Sequence, residues 1–160
     1  MLQKDYNLGV AEDVGRVLAQ IIYQKEIQDY QGALSLINES FKQAVGAGSG
    51  FIHAISEETL LAMLTLLGVL NLEKALMMAT LLKAEGEIYE GQGNADEAFD
   101  SYLKSLNLFL EILLGDDHLH DLRCSSEVED LLAKLEAYDL PLKTKSLLFQ
   151  FYLCAFLKRA

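Results

Sequence analysis

The chain has 160 residues, of which 51% are hydrophobic, with one Pro, two Cys, no Trp and a formal charge of −11. That length fits one domain whose core needs neither metal nor disulfides, and two cysteines argue against a disulfide framework and for a cytoplasmic chain. The acidic balance argues against nucleic acid and anionic membrane surfaces as partners, and the apolar surplus leaves one face over for a partner or a second copy.

Lys4 and Asp5 stand where a signal-peptide core would begin, and the apolar run from Thr59 to Leu72 falls short of the ~18 residues a membrane span needs. The first helix is predicted over residues 5–27, with Tyr6, Val10, Val14, Val17, Leu18 and Ile21 on one face. Asp29 caps a second helix that turns Ala33, Leu34, Ile37 and Phe41 inward. Gly46 to Gly50 then reads as a flexible linker, since it lacks the Lys–Ser/Thr of a phosphate loop and no strand precedes it. His53 reads as a half-buried loop histidine.

Ser56 caps the next helix, with Glu57 and Glu58 at its positive end. From Leu60 to Leu70 that helix is apolar all round, which predicts a buried centre or a subunit interface. Asn71 caps a long helix to Glu90, which Gly91 and Gly93 end. Asn94 and Glu97 form a capping box for the following helix, which runs to about Leu113. The small residues Gly86 and Ala98 let these two backbones approach, and Tyr89 and Tyr102 fill the space beside them. Ser126 to Glu129 is a second capping box, for a short helix to about Ala137. Pro141 opens a last helix carrying Leu147, Leu148, Phe149, Phe151 and Tyr152, so nearly continuously apolar that it is expected to be covered.

Gln28 to Ala33 aligns with Gly93 to Ala98, an offset of 65 residues, with Ile37 matching Tyr102 and Ser40 matching Ser105. The first pair of helices thus reads as a degenerate copy of the central pair. Gly86, Tyr89, Gly93, Ala98, Tyr102 and Ser105 together resemble one tetratricopeptide unit, whose period is ~34 residues. Leu82 stands where that family often has Trp, and Leu110 where it has Pro. The chain is also similar to a family of small tetratricopeptide-like proteins from Gram-positive bacteria. The residues that carry this are Met1 to Tyr6, the Asp29–Tyr30 turn and the stretch from Glu87–Ile88–Tyr89 to Ala98. The resemblance implies a fold and a cytoplasmic location but brings no established activity.

The expected architecture is a single all-α domain over residues 1–160. About seven helices in antiparallel tetratricopeptide-like hairpins would form a short right-handed stack. Gly86, Tyr89, Ala98, Tyr102 and Ala33 would pack the hairpins. By the resemblance, Lys83, Glu87 and Glu90 line the inner groove, where the two glutamates would repel a peptide carboxylate and suit a basic segment. Leu148, Phe151 and Tyr152 are the candidates for a subunit interface.

No nucleophile, base and orienting group can be assembled from spacing, so no catalytic residue is assigned, and no cofactor or metal is expected. The function expected is a non-enzymatic protein-interaction module with a protein or peptide partner, itself a homodimer, with no nucleic acid or membrane partner. One alternative is a structural homo-oligomer. Another is a metal-binding sensor or enzyme using the segment from His118 through His120 to Cys124. There His120 and Cys124 suit a helix, whereas His118 and His120 need an extended chain.

Overall fold

The computed structural model describes residues 15–115 and 122–159. Among them it is all-α, with eight helices and one small strand pair. In chain order these are α1 (residues 15–26), α2 (Tyr30–Val45), α3 (Ser49–Ala54), α4 (Glu57–Met63), β1 (Thr65–Leu66), β2 (Val69–Leu70), α5 (Leu72–Gly91), α6 (Ala95–Leu114), α7 (Leu122–Lys134) and α8 (Leu142–Arg159). The inward positions Tyr6, Val10 and Val14 lie outside the described residues. Ile21 of α1 is buried as read.

Three helix starts follow from one polar side chain each. Asp29 accepts from the Gly32 amide at 3.0 Å, Ser56 from Thr59 at 3.1 Å and Asn71 from Lys74 at 3.2 Å. Asn94 departs from this pattern. Its side chain turns back to Gln92 and makes no cap hydrogen bond, so the capping box with Glu97 does not form.

The turn between α5 and α6 is set instead by the end of α5. Gly93 takes φ 79°, its amide donates to Glu90, and the Asn94 amide donates to Tyr89 at 2.9 Å. This double closure satisfies two orphan carbonyls of the last turn. The α1–α2 turn repeats it. Gln28 takes φ 61°, its amide donates to Lys25, and the Asp29 amide donates to Gln24 at 2.8 Å. The two segments aligned by sequence therefore share one backbone conformation, although only one of them has glycine at the left-handed position.

The helix expected over 57–70 is corrected. It stops at Met63, where Leu64 closes the last turn and the Thr65 hydroxyl bonds back to the Leu61 carbonyl at 2.7 Å. Thr65–Leu66 then pairs antiparallel with Val69–Leu70 around Leu67 (φ 53°) and Gly68 (φ 79°). Positive φ at both central residues is what a two-residue hairpin requires. Leu66, Leu67 and Val69 are exposed, so this stretch is not the buried centre.

That role falls to α6, whose residues 101–110 are all buried. It packs against α5, α7 and α8, and α5 packs in turn against α2. The α5–α6 approach is as close as the small residues suggested. A Cβ added at Gly86 would lie 2.5 Å from the Tyr102 ring, and the buried Ser105 hydroxyl reaches the Ala79 carbonyl at 2.7 Å. Ala33 and Ala98 are buried in the same core, with Tyr89 half-buried beside it.

The remaining elements differ in detail from expectation. Gly46 ends α2 at φ 79°, but the glycine segment is no linker, because α3 starts within it and the Ser49 amide donates to Asn38 at 2.8 Å. The α7 helix spans Leu122–Lys134, so Ser126 lies within it and not at its start. A polar thread, buried at Asn107 and Thr144, joins α4, α6 and α8. Asn107 donates to Glu57, and the Thr144 hydroxyl donates to Asn107 at 2.9 Å.

Candidate functional site

Two features stand out: a part-buried polar node where α3 meets the α5–α6 pair, and the outer face of α8. His53, on α3, occupies the centre of the node. Its Nδ1 contacts Asp100 of α6 and its Nε2 contacts Glu85 of α5. Glu85 is 1% exposed and also accepts from the Ser49 hydroxyl at 2.6 Å and the Ser101 hydroxyl at 2.9 Å. A buried carboxylate is tolerable only when its lone pairs are met in this way.

Burial works against a charge on His53, and it is the largest single influence. The hydrogen bonds and charges of Asp100 and Glu85 together outweigh it and hold the imidazole up to about 9. The His53 contact in turn holds the Asp100 carboxyl below the usual range, with help from Lys104 at 3.7 Å. His53 is thus an imidazolium with both nitrogens committed. Outward from it lies an open cavity of about 530 Å³, walled by Asp96, Glu97, Asp100 and the Tyr89 ring. Burial first, and then Glu85 and Glu97, push the Tyr89 phenol up.

Lys83, Glu87 and Glu90 share one face of α5, between α1 and α7, but their charges are taken up within the chain. Lys83 is largely buried and donates to Glu127 at 2.6 Å and Asp130 at 2.9 Å. Its ammonium is raised against the pull of burial by these two carboxylates. Glu87 meets Lys25 at 3.5 Å. Glu90 accepts from the Tyr102 hydroxyl and from Lys134 at 3.2 Å, and the Tyr102 bond is the main cause of its lowered pKa. Burial, followed by that same contact, raises Tyr102, and Lys134 also lies 5.3 Å from the centre of the Tyr102 ring. The six acids from Glu85 to Asp100 are therefore three groups. Glu85 is buried, Glu87 and Glu90 face α1 and α7, and Asp96, Glu97 and Asp100 wall the cavity.

The candidate interface residues separate as well. Phe151 is buried in the core, Leu148 is half-buried against it, and only Tyr152 is exposed. The outward face of α8 is instead Phe149, Tyr152, Leu153, Phe156 and Leu157. Their spacing of three, four, seven and eight residues puts them on one side of the helix. Because the opposite side is also apolar, periodicity cannot say which side faces in.

His118 and His120 lie outside the described residues, and Cys124 is buried in α7. No group of three or more His, Cys, Asp or Glu among the described residues is arranged to hold a metal ion. Nor is any helix among them long and apolar enough to cross a membrane.

The sequence could have pointed to the node through Glu85, which stands three residues from both Leu82 and Ile88 on the inward stripe of α5. Nothing local names its partner, which is 32 residues away. Comparison with family models, with curated proteins and with solved structures finds no match to this chain.

Proposed function

We propose that the protein is a non-enzymatic, cytoplasmic protein-interaction module. The hairpins α1–α2 and α5–α6 act as tetratricopeptide-like units, and α8 presents the binding surface. The observation that carries this is the outward apolar face of α8. Five large side chains lie there at 68% (Phe149), 48% (Tyr152), 45% (Leu153), 70% (Phe156) and 63% (Leu157) exposure. Taking ~200 Å² for each such side chain when fully exposed gives a patch of about 600 Å². That is the upper end of what monomeric proteins leave in contact with water.

The shared turn geometry at Gln28 and Gly93 supports the repeat reading. The non-enzymatic reading draws on His53, whose ring nitrogens both sit on carboxylates and so are not offered to a substrate. A photo-crosslinking residue in place of Leu153 tests the binding surface. The expected result is a discrete protein adduct on irradiation in cells. A clean absence of adducts, with the same residue at the buried position of Leu106 as a negative control, counts against the reading.

A further inference from the structure

The identity of what covers α8 can be taken further, on the reading that α8 is the interaction surface. We infer that the occupant is a second copy of the chain, packed α8 against α8 across a two-fold axis.

Area is the first argument. A patch of about 600 Å² on each copy buries about 1,200 Å² in total, the lower bound for a specific stable interface. A two-fold contact uses the same patch on both sides, so α8 alone supplies the whole interface. The exposed hairpin residues Leu66, Leu67 and Val69 form a smaller patch and reach that area only with help from elsewhere.

Charge is the second argument. The chain carries −11 overall, yet residues 142–159 contain Lys143, Lys145, Lys158 and Arg159 and no acid, with Lys143 pairing with Glu58 at 2.7 Å and Lys145 with Asp139 at 2.9 Å. Two exposed acids stand nearby, Glu129 on α7 and Glu136 just past its end. Glu129 is close enough to Tyr152 to help raise its phenol, after burial. A surface that carries both signs side by side, around an apolar centre, is complementary to itself.

The inner face of α8 is already engaged, through Thr144, Leu147 and Phe151. The dimer therefore needs no rearrangement of the protomer. Substitutions on the outer face should leave the fold intact.

The test is the mass of the full chain by light scattering over a micromolar concentration series, together with the mass of the Leu153 photo-adduct. The expected masses are both twice the 17.8 kDa of one chain. Phe149→Glu with Phe156→Glu should return the mass to that of one chain, with helix content and melting temperature kept. A monomer at every concentration, whose Leu153 adduct has some other mass, overturns the second-copy inference and leaves the interaction reading standing. A monomer with no adduct overturns both. A dimer that survives the double substitution, or lacks the Leu153 adduct, places the contact elsewhere and overturns the inference. The adduct is read on a chain with α8 otherwise intact, so the outcome does not depend on the double variant folding.

Discussion

The stability of the protein should fall as pH rises from about 6.5 to about 9, with His53 as the cause. Burial opposes the imidazolium most strongly, but Asp100 and Glu85 more than compensate, and the folded state keeps a proton that the unfolded chain gives up near 6.5. Because the folded pKa is raised, the stabilisation is fully present below about 6.5 and is lost as pH passes through about 9. Within that window each pH unit removes ~1.4 kcal/mol. The whole effect is about 3–4 kcal/mol at most, and less to the extent that water reaches the ring and screens it.

The groups around His53 are Glu85 and Tyr89 on α5 and Asp96, Glu97, Asp100 and Lys104 on α6, and none of them removes the sign of the effect. The assay is urea unfolding at closely spaced pH and constant ionic strength, for the native chain and for His53→Gln. Subtracting the two curves cancels the tyrosines, lysines and cysteines that titrate above pH 8 or so. The native chain should lose its advantage over His53→Gln progressively across the window. A difference that is flat with pH, or that grows as pH rises, refutes the account of the node.

Two further outcomes follow from the turns and the helix contact. Gly86→Ala should destabilise the chain by about 1–3 kcal/mol in urea unfolding, because its methyl would sit 2.5 Å from a Tyr102 ring that Glu90 and Lys134 hold in place. A neutral or stabilising result would mean that the ring yields freely. Gln28→Gly should stabilise it by about 0.5 kcal/mol, since Gln28 sits at φ 61° and glycine removes a left-handed cost of ~1–2 kcal/mol while adding unfolded-state entropy. The readout is the shift of the thermal midpoint, and a lower midpoint would contradict the shared-turn geometry.

What could be read from sequence was local. Asp29, Ser56 and Asn71 act within one turn of their own positions, so type and spacing were enough. Gly93 was legible because few residues but glycine take its φ freely. Asn94 was misread because the two aligned turns close alike, yet Asp29 caps its helix while the Asn94 side-chain amide bonds to the Gln92 side chain, a choice that residue type and spacing do not show. The stretch to Leu70 was misread for a different reason. An all-apolar run has no period to separate helix from strand, and the Leu67–Gly68 turn outweighed helix propensity. The same absence of contrast made Phe151 and Phe149 interchangeable on paper, although one is core and the other surface. His53, Glu85 and Asp100 come from three helices, and only the packing of α3 on α5 and α6 brings them together.

The thread from Glu57 through Asn107 to Thr144 has a bearing on how α8 finds its seat. A helix apolar on nearly every side could lie on α6 in several rotational settings of similar hydrophobic gain. Turning α8 by one residue, ~100° about its axis, carries Thr144 away from Asn107. Both groups are buried, so each would lose a partner it cannot replace from water, at about 1–3 kcal/mol apiece. One threonine hydroxyl thereby acts as a key for the whole helix. It decides which of two greasy sides is spent inside the protomer and which is left outside.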